Sequence, residues 1–326
     1  MCTAATYQAA DLYMGRTLDY ERSFGEELVL TPRRFPFALR HGGALETHYA
    51  ILGTAHVAGG YPLYYDAVNE KGLGIAGLNF VESAQYADVR EGAVNIAQYE
   101  LIPWLLGRCA TLSEARTALE GVNLVGTPFS AQLPTAKLHW LIADRSGTIA
   151  VEATAEGLRI YDDDAGVLTN EPPFPQQMFA LNNYRHLSPK QPENRFSDAL
   201  PLRLYSRGMG ALGLPGDLSS ASRFARAAFV RAHLLPGGSE EENVGQFFHL
   251  LSSVEQQRGC CEVREGEFEY TIYTSCWNAD RGIYYYTTYT DRRIRAVDLH
   301  REDLDAAALV RYPMHAQEDI LMQNAR

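Results

Sequence analysis

The chain has 326 residues, 46% hydrophobic and 21% charged, and a formal net charge of −11 at pH 7. That is the composition of a folded globular protein, long enough for one large core or two ordinary domains. The acidic balance and the lack of any Lys/Arg run argue against nucleic acid and against a lasting hold on an anionic membrane surface, whereas an anionic small molecule needs only one or two well-placed arginines.

In chain order, strand signals dominate. CTAATYQ and LYMGRTLDY read as a hairpin around a turn at Ala9-Ala10-Asp11, with partners whose numbers sum to about 20. Cys2 then faces Leu18, Arg16 lies diagonally on the same face, and Asp19 arrives beside the chain terminus. Strands are expected at Glu27–Thr31, 71–80, 139–144, 149–154 and 158–161, the last three joined by Arg145-Ser146-Gly147 and Ala155-Glu156-Gly157 turns. One helical group is expected over roughly 94–121, where Thr111 and Glu114 form a capping box and Gly121 a stop. A second is expected over roughly 220–254, where Ser239 and Glu242 form another box and Val244, Phe247, Phe248 and Leu251 an apolar stripe. A meander over 269–276, 282–289 and 293–299 follows, then a short helix after Glu302. Strands, helices, strands, helices, strands is a layered α+β order, with no repeat or linker, so residues 1–326 are expected to form a single domain.

The N-terminus has no signal-peptide pattern, and nothing approaches the ~18 apolar residues of a membrane span, so a cytoplasmic protein with no membrane partner is expected. Five cysteines at no metal-like spacing read as reduced thiols, the adjacent Cys260 and Cys261 as two buried ones. Nine scattered histidines form no HExxH, and Asp162-Asp163-Asp164 before Ala165-Gly166 reads as a solvated turn. No metal and no cofactor is expected.

Cys2 is where chemistry concentrates. A cysteine behind Met1 reads either as a frayed terminus or, because it opens a strand, as a positioned thiol. A thiol titrates near 8.5 and a nearby arginine favours its thiolate; an α-amino group titrates near 7.7–8.0, close to the pH at which it must act as a base. With Met1 removed, one residue supplies both nucleophile and general base, and Asp19 orients the amine. Arg16 and Asp19 read equally well as a surface ion pair.

MCTAATY, GRTLDY, NEKGLGIAGLNF, LTNEPPF, PGDLSSASRFARAAF and TIYTSCWNADRGIYYYTTY resemble the choloylglycine hydrolase family, which includes bile salt hydrolases and penicillin V acylases, over residues 2 to about 299. The resemblance implies the N-terminal-nucleophile hydrolase fold, a four-layer αββα sandwich, with no metal or organic cofactor. It implies that Cys2 is the nucleophile, that Arg16 and Asp19 tune and position it, that Asn79 in AGLNF is an oxyanion donor, that Asn170 in LTNEP is a second active-site amide and that Arg223 in SSASRF is a far arginine. Read alone, the two asparagines are also good turn formers and Arg223 a helix-surface residue. An apolar pocket for a sterol body is expected around Tyr20, Phe24, Phe129 and Leu133. The implied reaction is hydrolysis of glycine- or taurine-conjugated bile salts by a homotetramer, with penicillin V or N-acyl homoserine lactone acylase as the alternative.

Overall fold

The computed structural model describes residues 1–324. Its first element is the expected hairpin. Strands β1 (Cys2–Gln8) and β2 (Leu12–Tyr20) pair antiparallel with Cys2 opposite Leu18 and Ala4 opposite Arg16. The period of two sends Cys2 and Arg16 to one face and Thr3 and Tyr7 to the other. The first pair meets the second sheet through Arg16, and the other pair meets helices through Thr3 and Tyr7.

The hairpin lies inside a six-stranded antiparallel sheet ordered Val167–Leu168, β1, β2, Tyr270–Asn278, Ile283–Thr288 and Arg295–Asp298. A Cβ on Gly15 would lie 2.0 Å from the carbonyl oxygen of Ser275 on the neighbouring strand, so the residue before Arg16 has to be glycine. Facing this sheet is an eight-stranded one, ordered Gly157–Asp162, Gly147–Thr154, Leu138–Asp144, Gly74–Asn79, Tyr61–Asn69, Ile51–Ala58, Glu27–Thr31 and Val310–Pro313.

Helices cover the two outer faces. Helices α1 (Leu101–Arg108) and α2 (Leu112–Glu120) pack on the eight-stranded sheet, burying Leu105, Leu106, Ala115 and Leu119 against Ile75, Trp140 and Ile142. The short α3 (Phe174–Ala180) packs beside α4 (Ser220–His233), and α4 and α5 (Glu240–Ser252) cover the six-stranded sheet. The whole α5 stripe, Val244, Phe247, Phe248 and Leu251, is buried. The layers therefore run helix, sheet, sheet, helix, the αββα sandwich.

Several boundaries differ from the sequence reading. Residues 94–97 are a strand paired parallel with Val122–Val125, because Val94 and Ile96 alternate with polar Asn95 and find a neighbouring strand. The 220–254 group breaks at Pro236-Gly237-Gly238 into two helices. Among the described residues no helix follows Glu302; a 3₁₀ turn at Leu299–Arg301 precedes the extended segment that pairs Val310–Pro313 with Glu27–Thr31. The hairpin Ile51–Ala58 and Tyr61–Asn69 was not expected, although Gly59 and Gly60, with φ of 56° and 81°, are a legible tight-turn pair. Asp163 is buried rather than solvated. It accepts from Gly166 N (2.8 Å) and Val167 N (3.0 Å), and burial pushes its carboxyl up to about 7. Cys260 is exposed and Cys261 half-buried, not core thiols, because they lie in the loop ahead of a small exposed hairpin; all five cysteines are free. Among the described residues no helix is long and apolar enough to cross a membrane.

Candidate active site

The six polar residues singled out above come from five places in the chain and meet at the open end of β1. Arg16 is fully buried, and each of its nitrogens is engaged. Nε donates to Thr17 O (3.1 Å), Nη1 to the carbonyls of Gly77 and Tyr65, and Nη2 to Cys2 Sγ at 2.5 Å. Burial opposes its charge, but Cys2, Tyr273 and Asp66 together hold its pKa above the ordinary guanidinium range.

Behind Arg16 lies a carboxylate the sequence reading passed over. Asp66 is fully buried and accepts from Tyr273 Oη (2.8 Å), Ser275 Oγ (3.2 Å) and Tyr284 Oη. Burial raises its pKa, while Arg16 and these donors act in the opposite direction. Ser275 Oγ also accepts from Arg16 N (3.1 Å), so the network fixes both ends of the arginine.

The other flank is built on Asn170. Its Oδ1 accepts from Cys2 N (2.8 Å) and Arg223 Nη2 (2.8 Å), while its Nδ2 donates to Asn79 O (2.8 Å). Two residues fix its backbone. Ser220 Oγ accepts from Asn170 N (2.8 Å), and Gln177 Nε2 donates to Asn170 O (2.7 Å). The N-cap of α4 is Ser219, whose Oγ accepts from Ser222 N. Arg223, in the first turn of α4, is buried and fully engaged: Nη1 donates to Cys2 O (2.5 Å) and Thr3 Oγ1 (2.6 Å), Nε to Leu218 O (2.9 Å). Burial lowers its pKa.

Asp19 is buried where β2 ends. Its carboxylate accepts from Thr17 Oγ1 (3.1 Å) and Thr271 Oγ1 (2.7 Å), so its contact with the terminus is through main chain. Asp19 N donates to Met1 O (3.0 Å), and the Met1 ammonium donates to Asp19 O (2.8 Å) and pairs with the buried Glu269. Burial pushes the pKa of that ammonium down.

Cys2 Sγ, Arg16 and Asn79 face a cavity of about 240 Å³. Tyr20, Phe24, Phe129 and Leu133, expected from the sequence, all line it, as do Tyr65 and Trp140, which were not expected. Tyr20 and Phe24 meet edge to face, with centroids 5.3 Å apart, and Phe129 packs on Tyr61 and Tyr99. The Asn79 amide donates to Tyr20 Oη at 2.8 Å. An amide carries two N–H bonds, so one remains for a ligand. Among the described residues no group of three or more His, Cys, Asp or Glu is arranged to hold a metal.

A cysteine thiol and its own backbone nitrogen, each with a separate buried partner at the end of an apolar cavity, is an arrangement suited to acyl transfer. The profile of linear amide C–N hydrolases, choloylglycine hydrolase family, matches residues 2–312. This chain belongs to the choloylglycine hydrolase family. It is a hydrolase of linear amide C–N bonds, and its sandwich is the N-terminal-nucleophile hydrolase fold. The bile salt hydrolase/transferase of Lactiplantibacillus plantarum is 52% identical over 317 residues, 97% of this chain and 98% of that one. The C2A mutant of the conjugated bile acid hydrolase from Clostridium perfringens superposes with a TM-score of 0.92 at 36% identity, covering 99% of this chain and 100% of that one. Penicillin V acylase from Agrobacterium tumefaciens, 22% identical, shares the fold with a TM-score of 0.76 over 97% of this chain and 92% of that one.

Proposed function

We propose that this choloylglycine hydrolase, once Met1 is removed, cleaves the amide of glycine- or taurine-conjugated bile salts with Cys2 as nucleophile. The observation that carries the reading is the position of Cys2. Its sulfur receives the Arg16 guanidinium and its nitrogen rests on Asn170 Oδ1, at the polar end of a cavity walled mainly by aromatic and aliphatic side chains. The names of the relatives above support the choice of bile salts over penicillin V, since the acylase likeness is one of fold.

The chemistry follows from those contacts. Thiolate attack on the scissile carbonyl gives a tetrahedral intermediate whose oxyanion takes the remaining Asn79 N–H and a backbone N–H. The Cys2 α-amine, oriented by Asn170 Oδ1, takes the thiol proton and carries it to the departing nitrogen. Cys2 is then an acyl-thioester, and water deprotonated by the same amine releases the bile acid. An amine in place of that water would form a new amide, in keeping with the transferase half of the Lactiplantibacillus protein's name. Arg16 holds the sulfur and Arg223 holds Asn170 and the Cys2 carbonyl. We read residues 1–326 as one domain that works in the cytoplasm as a homotetramer.

Purified enzyme assayed on glycocholate, taurocholate, penicillin V and an N-acyl homoserine lactone tests the reading. Turnover of the first two is expected; turnover of penicillin V with both bile salts untouched would overturn the substrate assignment and leave the Cys2 chemistry standing. In the same assay Asn79→Ala is expected to lower kcat about a hundredfold or more, with a smaller change in KM, because one oxyanion donor is lost.

A further inference from the structure

Both arginines at the candidate site have all their guanidinium nitrogens engaged within the protein, yet glycine and taurine conjugates are anions and the chain carries −11. Cations whose donors are not already committed within the protein lie elsewhere. A second cavity, of about 700 Å³, shares Tyr20 and Phe24 with the apolar one and is lined on its far side by Arg22, Arg258 and Arg264.

Two of these arginines are held without being neutralised. Arg22 lies 5.4 Å above the Phe24 ring, and Arg258 lies 4.4 Å from the Tyr270 centroid and 5.2 Å from that of Tyr289. Stacking on aromatic faces fixes a guanidinium while leaving its edge donors open. Among the described residues neither makes an ion pair; Arg264 does, with Glu267 at 3.2 Å, and Glu21 is the other acid of the lining. The distance also fits. Leu18 faces Cys2 and Tyr20 faces Tyr270, two residues further along β2, a separation of about 7 Å. The anion of a glycine or taurine conjugate lies only a few bonds beyond the scissile nitrogen.

We infer that Arg22 and Arg258 recognise the anionic head of the substrate. This rests on the function proposed above and adds the head-group subsite to it: sterol in the apolar cavity, amide at Cys2, carboxylate or sulfonate past Tyr20 against the two stacked arginines. Their charge draws the anion and sets affinity more than the chemical step, so the expected effect lies in KM.

The test is steady-state kinetics of wild type, Arg22→Gln, Arg258→Gln, the double variant and Arg258→Lys on glycocholate, taurocholate and the neutral N-methyl amide of cholic acid. For the double variant, KM for both anionic conjugates is expected to rise at least tenfold more than KM for the neutral amide. Arg258→Lys should recover part of that loss, and 0.5 M NaCl should narrow the gap between wild type and variant. An equal response of charged and neutral substrates overturns the inference while leaving the proposed function intact. A wild type that cleaves none of the three amides overturns both.

Discussion

Cys2→Ala is expected to abolish amide hydrolysis while leaving the fold unchanged. The side chain is small and stands at the terminal residue of β1, and the strand below it is held by six further register pairs with β2 and by the buried Ala4, Ala5 and Tyr7. Removing one sulfur therefore takes away the atom that attacks and little of the core. Cys2→Ser separates thiol from amine: the hydroxyl remains beside Arg16 and the amine remains on Asn170, but an alcohol is far harder to deprotonate. We expect a loss of several orders of magnitude in kcat. Thermal unfolding beside a kinetic assay checks both variants. Residual turnover by Cys2→Ala would transfer the nucleophile to another residue, and the geometry disfavours the remaining cysteines. Burial pushes the thiols of Cys109, to about 11, and Cys276 up, and none of Cys109, Cys260, Cys261 and Cys276 lines the cavity that holds Cys2.

Asn170→Ala is expected to give the next largest effect. One carbonyl oxygen accepts from Cys2 N and from Arg223, and the same amide donates to Asn79 O, so truncation strips three buried groups at once. A buried donor without a partner costs about 1–3 kcal/mol, more when it is charged, so stability should fall by a few kcal/mol. The Cys2 nitrogen would also lose its orienting acceptor. We therefore expect kcat to drop about a hundredfold or more with little change in KM. Urea unfolding and Michaelis kinetics measure the two consequences separately. A variant that is destabilised but keeps its kcat would reduce Asn170 to a structural tie.

The hairpin was legible because turn position and the strand period of two together set its register, and the placement of Cys2, Arg16 and Asp19 near one another follows from that register, while their roles are those the family resemblance implies. Asn79, Asn170 and Arg223 were not legible that way. Arg223 reaches Cys2 across 221 residues of sequence, and only the resemblance to a known family joined them. Asp66, Ser275 and Glu269 were missed altogether. Each is a single polar residue in or beside a strand, and nothing local distinguishes a carboxylate that will be buried behind an arginine from one that will face water. Helical boundaries failed where short apolar runs fit either period: Val94–Ala97 became a strand because Val122–Val125 lies beside it. Ser219 and Ser220 show the same limit at the scale of one residue. Either could cap α4, and the choice fell to Ser219 because Ser220 is held by Asn170.

Acid quenching of the wild-type enzyme during turnover of taurocholate, followed by peptide mass spectrometry, tests whether Cys2 is the acylated nucleophile. The expected product is an N-terminal peptide that begins at Cys2, without Met1, and carries a cholyl group on sulfur as a hydroxylamine-labile thioester. A fully active protein that retains Met1, or an acyl group trapped on any residue other than Cys2, would contradict that assignment.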